Sequence, residues 1–321
     1  MNLKNISYYI NLRARDWAKL LFTYPYYHYK IHSGAKYIEK KIHNYRLLID
    51  LKDEGISKQL MLLETREDDH IIILKKELLK GMVAFDLGAN IGYYAVMMAK
   101  LVGTSGKVYA VEPSRSNYLL LSLNIKLNQL EDIIESYNIG ISNKTGTDNF
   151  YESEKSNWHT FYPKVHSGTD TESLVSKAPV EVPVMTIADF AKGKRKIDLI
   201  RMDIEGFEVE VFESLLPLLK DKSFGPKILF EVHQPRYNDQ EHNMRKVLKS
   251  LFEFGYHVKT LASNQYDRGG REIFEQRGYK PSMVIKTDFL KRGIYNAVTD
   301  EDAIYFMCDT DFTRAVLLDR K

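Results

Sequence analysis

Short apolar runs alternate with amphipathic segments along most of the chain after Gly81. The apolar runs span 82–86, 107–112, 133–141, 197–203 and 227–232. Segments with helical periodicity lie between them, at 91–101, 115–127, 207–219 and 240–254. This alternation predicts an α/β fold with an open, mostly parallel sheet and helices on both faces. Two further strands are expected near the end of the chain, at 256–262 and 303–308.

The composition excludes several classes of protein. Of the 321 residues, 44% are hydrophobic and 28% are charged, which is typical of a globular protein with a sizeable core. Cys308 is the single cysteine, so the chain can form no internal disulfide and no cysteine-rich zinc site. The net charge of +3 does not indicate the concentrated basic surface of a nucleic-acid-binding protein. Neither a membrane-spanning apolar run nor a signal peptide is recognisable, which predicts a cytoplasmic protein.

Residues 1–45 differ from the rest of the chain and are predicted to form a helical extension of the domain at 46–321. They are dense in tyrosine and carry interleaved arginine and lysine. At helical spacing, one side gathers the apolar residues Ile10, Trp17, Leu20, Leu21 and Tyr24. A helix of this kind packs against its own domain or a second copy, or it lies peripherally on a membrane surface.

The first candidate site follows the strand at 82–86. Asp86, Gly88 and Gly92 form the pattern D-x-G-x-x-x-G at the junction between this strand and a helix, with Asn90 inside it. Glycines permit a tight turn there, and the helix N-terminus offers free N–H groups to an anion. The dinucleotide-binding fingerprint G-x-G-x-x-G and the phosphate-binding P-loop pattern are both absent. The acidic residue favours a ligand that carries an amine or another cationic group.

Glu112 ends the second strand and is followed by Pro113, which directs the chain out of the sheet. A carboxylate at this position can accept hydrogen bonds from both hydroxyls of a ribose. The alternative is that Glu112 caps the following helix. Because ligands of open α/β sheets bind at the carboxyl ends of the strands, Asp86 and Glu112 are expected to border one crevice.

Acidic residues also follow the strand at 197–203. Asp203, Glu205 and Glu208 lie within six residues of one another. Their mutual repulsion would raise their pKa values unless a cationic group lies nearby. Arg201 is the expected internal partner, since strand alternation places it on the same face as Asp203. Glu208 can alternatively be a first-turn acid that the helix dipole favours.

Glu231 and His233 lie at the end of the strand at 227–232. A spacing of two residues points both side chains to the same face of a strand. A lone histidine is most often a structural residue. A glutamate and a histidine together beside Asp203 are better suited to proton transfer or metal binding.

Taken together, these motifs resemble the FkbM family of S-adenosylmethionine-dependent methyltransferases. The resemblance covers roughly residues 46–309 and is carried by F-D-L-G-A-N-I-G-Y-Y, V-E-P, V-P-V-M-T-I-A-D-F, M-D-I-E-G-F-E and L-F-E-V-H. It implies a class I methyltransferase fold, which is a Rossmann-like, mostly parallel seven-stranded sheet with its last strand antiparallel. It also implies that S-adenosylmethionine is the cofactor.

The resemblance further implies roles for residues at the first three strand ends. The methionine end of the cofactor would be held by Asp86, Gly88, Asn90 and Gly92. Glu112 would bind the ribose hydroxyls. Asn138, at the end of the third strand, would lie near the adenine.

By the same resemblance, Asp203 and Glu205 would lie where the methyl donor meets its acceptor. A sugar hydroxyl is a poor nucleophile at neutral pH, so its methylation needs a base or a metal ion to take the proton. Asp203 and His233 are the candidate bases, with Glu205 and Glu231 beside them. Alternatively, the carboxylates hold a divalent cation such as magnesium that binds the hydroxyl.

The activity implied is O-methylation of a hydroxyl on a sugar, a glycan or a glycosylated small molecule. Insertions at 151–180 and 264–300 are candidates for the acceptor site. They contain aromatic residues that could stack on sugar rings, namely Trp158, Phe161, Tyr162 and Tyr266. The alternatives are a nucleic-acid methyltransferase, an NAD-dependent oxidoreductase and a non-catalytic S-adenosylmethionine-binding module. Nearly balanced charge disfavours the first, and the missing dinucleotide fingerprint disfavours the second.

Overall fold

A computed structural model of the chain describes residues 13–163 and 178–321. The strands in these residues are β1 (Tyr37–Ile42), β2 (Tyr45–Asp50), β3 (Val83–Leu87), β4 (Lys107–Val111), β5 (Ile134–Tyr137), β6 (Gly140–Ile141), β7 (Gly146–Phe150), β8 (Val180–Met185), β9 (Leu199–Met202), β10 (Lys227–Glu231), β11 (Tyr256–Ser263), β12 (Met283–Thr287), β13 (Leu290–Asn296) and β14 (Thr313–Arg320). The α-helices are α1 (Ala14–His32), α2 (Ile56–Leu63), α3 (Asp68–Glu77), α4 (Tyr93–Val102), α5 (Arg115–Leu127), α6 (Ile187–Ala191), α7 (Glu208–Leu215), α8 (Met244–Glu253), α9 (Arg271–Gln276) and α10 (Asp300–Cys308).

Nine of these strands form the central sheet, in the order β12-β13-β11-β14-β10-β9-β3-β4-β5. The strands from β5 to β10 in this order are parallel, and β14 lies antiparallel between β10 and β11. The predicted mostly parallel, Rossmann-like sheet of the class I methyltransferases is therefore confirmed. The strand order reverses between β3 and β9, because the chain runs outward from β3 to β5 and then returns. Sheets of this kind bind ligands in the crevice at such a reversal.

The central strands are covered on both faces. Every residue of β3, from Val83 to Leu87, is buried. Phe85 packs edge-on against Phe190 on one face of the sheet, whereas Ala84 belongs to the core cluster on the other face. Continuous burial is typical of a parallel strand between two layers of helices. Strands fixed in this way hold the residues at their carboxyl ends in defined positions.

The prediction of a strand at 303–308 is wrong. These residues belong to α10, and the antiparallel strand of the sheet is β14, which follows this helix. Thr299 caps α10, since its side-chain oxygen accepts a hydrogen bond from an amide in the first turn. The buried residues of the helix are Ala303, Phe306 and Met307, so the apolar run has the spacing of one helix face.

The segment 264–300, predicted as an irregular insertion, contains α9 and a hairpin of β12 and β13. Because β13 pairs with β11, the hairpin extends the sheet beyond the seven predicted strands. Asp288 and Phe289 form its turn with positive φ angles of 49° and 64°, which two-residue hairpin turns favour. The Asp288 carboxylate accepts a hydrogen bond from the amide of Glu67 and thereby joins the hairpin to the segment between α2 and α3.

A small separate sheet of β6, β8 and β7 flanks the predicted insertion at 151–180. The insertion leaves β7 and turns back at a bridge between Tyr151 and Thr160. Its residues 164–177 lie outside the described part of the chain.

Residues 1–45 are helical only in part. Residues 37–42 form β1, which pairs antiparallel with β2, instead of continuing the predicted helical extension. α1 packs against the domain, where Tyr27 is buried and the hydroxyl of Thr23 donates a hydrogen bond to the carbonyl of Leu62 (2.9 Å). The helix therefore packs on its own domain, which is one of the alternatives that the sequence left open.

The outward side of α1 is apolar. Its exposed large hydrophobic residues are Trp17, Leu21, Phe22, Tyr24, Tyr26, Tyr29 and Ile31. Ile10, predicted on this side, lies outside the described residues. Contact of this surface with a membrane or a second copy stays a prediction. In the stretches 13–163 and 178–321, no helix combines the length and apolarity needed to cross a bilayer.

Candidate functional site

A cavity opens at the carboxyl ends of β3, β4 and β9, where the strand order reverses. It encloses about 720 Å³, part of which is open to solvent. Its walls include Gly88 and Ala89 from the turn after β3, and the acids Glu112, Asp203 and Glu205. Its position at the reversal of the strand order makes this cavity the candidate ligand site.

Gly88 allows the close approach of backbone that shapes one wall of this cavity. Its φ is 78°, and its amide donates a hydrogen bond to the carbonyl of Val111 (3.0 Å). A Cβ atom at position 88 would lie 2.1 Å from the carbonyl oxygen of Asp203. Glycine is required here because any side chain would collide with the backbone that follows β9.

Asn90 and Gly92 continue the turn, and both have positive φ angles, of 51° and 93°. The side-chain amide of Asn90 donates a hydrogen bond to the carbonyl of Ser156 (2.9 Å) and so holds the 151–163 segment against the cavity. Gly92 does not line the cavity but is the N-cap residue directly before α4, and a Cβ atom there would lie 2.9 Å from Leu121. Cofactor contact by these two residues stays a prediction.

Asp86 pairs with Arg201, which lies opposite it across β3 and β9. One guanidinium nitrogen, Nη1, donates to Asp86 (3.2 Å) and the other, Nη2, donates to Asp203 (2.9 Å), so the predicted pairing of Arg201 with Asp203 is confirmed. Burial raises the pKa of Asp86, although Arg201 opposes the rise. Arg201 lines the cavity and Asp86 does not. The Oδ2 atom of Asp86 is buried and makes no hydrogen bond. Contact of Asp86 with a ligand stays a prediction.

Glu112 lines the cavity just beyond β4. Its carboxylate accepts hydrogen bonds from the amides of Asn90 (2.7 Å) and Ser114 (2.9 Å). Burial raises the pKa of Glu112 to about 7, despite these hydrogen bonds. Each carboxylate oxygen has a second lone pair, so the fixed side chain can still accept hydrogen bonds from a ligand.

Asn138 supports the same strand end from outside the cavity. Its side-chain amide donates hydrogen bonds to the carbonyls of Glu112 and Pro113, both at 2.9 Å. Gly140 and Ile141 line the cavity nearby, whereas Asn138 does not. Asn138 therefore positions the Glu112 segment, and its contact with an adenine stays a prediction.

His233 lies among four carboxylates. Its Nδ1 is 2.9 Å from Glu208, and its Nε2 is 3.2 Å from Glu231, 3.5 Å from Glu205 and 3.9 Å from Asp203. Burial acts to lower the pKa of His233, but Glu208 and Glu205 together outweigh burial and raise it well above its usual value. The acids and the histidine predicted at the ends of β9 and β10 therefore lie in contact. Glu208 both pairs with His233 and lies in the first turn of α7, as the sequence suggested.

The two acids that face the cavity beyond β9 have opposite pKa shifts. Burial raises the pKa of Glu205 to about 7, although His233 opposes the rise. For Asp203, burial also favours a higher pKa, but Arg201, His233 and Arg66 together outweigh it and lower the pKa. Asp203 is therefore held ionised, and Glu205 titrates near neutral pH. Glu231 and His233 lie behind them and do not line the cavity.

Two arginines form ion pairs with acids at this site, although the sequence analysis assigned neither of them to it. Arg314, from β14, forms ion pairs with Glu231 and with Glu67. Arg66 also pairs with Glu67 and lines the cavity. Arg66 and Glu67 come from the segment between α2 and α3, which carries no recognisable motif. For Arg314, a charged residue directly before the buried apolar run 315–318 was the available signal.

Residues 86–258 match the model of the family described as the methyltransferase FkbM domain. The chain belongs to this family. The matched stretch contains the strand ends that carry Asp86, Glu112, Asp203 and Glu231, so it spans most of the cavity wall. Membership confirms the resemblance that the sequence motifs indicate.

This FkbM-family chain is similar to several methyltransferases at low sequence identity. Methyltransferase sdnD of Sordaria araneosa is 26% identical over 153 residues, which cover 40% of this chain and 59% of that protein. The solved methyltransferase FkbM of Methylobacillus flagellatus KT has 14% identity and a TM-score of 0.38, over 68% of this chain and 44% of its own. A SAM-dependent O-methyltransferase of Thermotoga maritima has 13% identity and a TM-score of 0.38, over 89% and 86% of the two chains. The chain spans less than two thirds of the length of the first two proteins.

Proposed function

We propose that this chain is an S-adenosylmethionine-dependent O-methyltransferase that methylates a hydroxyl of a sugar, a glycan or a glycosylated small molecule. The observation that carries the proposal is that one cavity joins Glu112, beyond β4, to Asp203 and Glu205, beyond β9. An acid suited to ribose hydroxyls and acids suited to taking a proton therefore border the same space. Membership of the FkbM family supports the same reaction.

The residues of the cavity fit S-adenosylmethionine, which when bound supplies a methyl group on a sulfonium. The ammonium of its methionine end would reach the free Oδ2 atom of Asp86 only after Arg201 moved aside, because Arg201 lines the cavity and Asp86 does not. Arg66 is buried and its Nε makes no hydrogen bond, so it can meet the carboxylate. Glu112 would accept hydrogen bonds from the ribose hydroxyls.

Asp203 and Glu205 are the groups placed to take the proton of the acceptor. The hydroxyl oxygen would bond to the methyl carbon in line with the breaking carbon–sulfur bond, while the proton passes to a carboxylate. Arg201 fixes the orientation of Asp203 through its hydrogen bond. His233 contacts both acids from behind, so in this proposal it influences them rather than meeting the acceptor directly.

The charge of the acceptor side supports a neutral, hydroxyl-rich substrate. Asp203 and Glu205 line this end of the cavity, and Glu208 and Glu231 lie behind them, near the ring of His233. Such a site repels the phosphates of a nucleic acid and tolerates sugar hydroxyls. Of the aromatic residues predicted to stack on sugars, Phe161 lines the cavity. Trp158 and Tyr162 are engaged by Lys155 and His242, respectively.

A methyl-transfer assay tests the proposal. The purified chain is incubated with S-adenosylmethionine labelled in its methyl group and with a panel of glycan extracts, and carbohydrate is separated from nucleic acid and protein. The proposal predicts label in carbohydrate in an alkali-stable linkage, because methyl ethers resist base and methyl esters do not. Label confined to nucleic acid or protein, or no transfer to any extract, would contradict it.

The affinity for S-adenosylhomocysteine is expected to fall as the pH drops below about 7. Glu112 has its pKa raised to about 7 by burial, so acidification replaces its negative charge with a proton that competes with the ribose hydroxyls. If only the ionised form binds, the association constant falls about tenfold per pH unit. Calorimetric titration between pH 8 and pH 5.5 checks this. The Glu112→Gln variant should bind more weakly at pH 8 and show a smaller pH dependence, and an equal slope in both proteins would refute the role of Glu112.

A further inference from the structure

We infer that Asp203, Glu231 and His233 form a binding site for one divalent first-row transition-metal ion, for which Mn²⁺ is the probe. One ligand atom from each of the three side chains lies within 4.8 Å of the other two. Two ligands on opposite sides of one ion are about 4–4.5 Å apart, so small side-chain adjustments would bring all three into contact with it.

Two atoms in this group are buried without hydrogen bonds. They are Nε2 of His233 and Oε2 of Glu231, and the Glu231 side chain is 2% exposed. Buried polar atoms of this kind are rare in folded proteins and require an explanation. Nε2 of His233 lies 3.2 Å from Glu231 and 3.9 Å from Asp203, where an ion that displaces the Nε2 proton could accept a lone pair from each residue.

The histidine is held in the orientation that a metal ligand needs. Its Nδ1 hydrogen-bonds to Glu208 (2.9 Å), and the hydroxyl of Tyr237 donates to the other oxygen of that carboxylate (2.9 Å). This leaves Nε2 facing Asp203 and Glu231. A carboxylate that fixes the second ring nitrogen is the usual support of a metal-binding histidine.

The charges around the histidine favour a cation. Four carboxylates surround it. Among the described residues, each arginine that pairs with one of these carboxylates also pairs with a further acid. Arg201 is shared with Asp86, and Arg314 is shared with Glu67. The excess negative charge would be offset by a divalent ion.

The donor set selects the type of ion. Magnesium prefers oxygen ligands alone, whereas one imidazole nitrogen with two carboxylates suits a first-row transition ion such as Mn²⁺. Because Asp203 lines the cavity, an ion bound to it would have open positions for an acceptor hydroxyl. That role in catalysis rests on the proposed methyl transfer, but binding of the ion does not.

Titration of the chelator-treated full chain with Mn²⁺, followed by the electron paramagnetic resonance of the free ion, tests the site. One ion per chain is expected. His233→Ala and Glu231→Gln should weaken Mn²⁺ binding at least tenfold. Glu208→Gln should weaken it by about 10–100-fold, because Glu208 acts on the ion only through His233. His242→Ala is the matched control, since both ring nitrogens of this buried histidine already have partners in Arg236 and Glu210. Its affinity for Mn²⁺ should equal that of the unmodified chain.

The inference is overturned if the unmodified chain binds no Mn²⁺, or if His233→Ala binds it as tightly as His242→Ala does. Circular dichroism checks that each variant folds. Anomalous diffraction from crystals of the unmodified chain soaked in Mn²⁺ is an independent test that needs no variant. An anomalous peak away from His233 also overturns the inference. Mn²⁺ bound at His233 without any methyl transfer would refute the proposed function alone, so the two failures are distinguishable.

Discussion

The Asp203→Asn variant is expected to lose methyl transfer by about 10²–10⁴-fold, the range typical of a missing proton acceptor. Asparagine keeps the shape of the side chain but can neither take a proton nor carry the charge that faces Arg201. Arg201 keeps its second partner, Asp86, so the fold should be largely preserved. Rates are measured with the acceptor found in the glycan assay, and S-adenosylhomocysteine affinity is measured in parallel.

Asp198→Asn is the control for this variant, because Asp198 lies at the opposite end of the same strand. Its carboxylate accepts a hydrogen bond from the amide of Val83 (2.8 Å), which an asparagine oxygen can also accept. Transfer by Asp198→Asn should match the unmodified chain. If Asp203→Asn transfers methyl groups at the full rate, the site at the end of β9 is not where the reaction takes place.

The Gly88→Ala variant is expected to lose both stability and cofactor binding. Its methyl group would lie 2.1 Å from the carbonyl oxygen of Asp203, and the backbone at this position has a φ of 78°. The left-handed conformation costs about 1–2 kcal/mol and overpacking adds about 1–3 kcal/mol, so the free energy of unfolding should fall by at least about 2 kcal/mol. Urea denaturation measures this fall. Affinity for S-adenosylhomocysteine should fall more than about 100-fold, since the turn that shapes the cavity is displaced.

Gly278→Ala separates the collision from the backbone strain. Gly278 has a similar φ of 82°, and no atom lies within 4 Å of a Cβ built there. This variant should lose only about 1–2 kcal/mol and should bind S-adenosylhomocysteine normally. Equal effects of the two substitutions would show that the contact between Gly88 and the segment after β9 does not shape the site.

The strand ends of the site were predictable because parallel strands impose strong local rules. Buried strands such as β3 appear as short apolar runs, and the turn after β3 required glycine at position 88. Strand alternation correctly placed Arg201 beside Asp203. Acids at the ends of neighbouring strands then had to meet at one edge of the sheet.

Residues that reach the site from distant segments were not predictable. Arg314 is 247 residues from Glu67 in the chain, yet it pairs with Glu67, as Arg66 does. No pattern within either segment specifies this contact, because it depends on how β14 and the segment before α3 pack. The prediction for Asp86 was incomplete for the same reason, because its partner Arg201 lines the cavity in its place.

A short apolar run does not distinguish a strand from a helix where a helix N-cap determines the structure. Residues 303–308 have the composition of a strand, but Thr299 and the acids after it begin a helix there. The hairpin of β12 and β13 escaped prediction because its turn, Asp288 and Phe289, lacks the usual glycine. In both places tertiary contacts or capping outweighed local propensity.

Titration of the purified chain with S-adenosylhomocysteine, and separately with NAD, tests the central claim most directly. The account predicts one S-adenosylhomocysteine site per chain, no binding of NAD, and an affinity about 10–100-fold lower in Glu112→Gln, which loses a charged hydrogen-bond acceptor. Glu131→Gln, which changes an exposed glutamate elsewhere, should bind like the unmodified chain. An absence of S-adenosylhomocysteine binding, or an affinity that is the same in Glu112→Gln and Glu131→Gln, would contradict the assignment of this cavity.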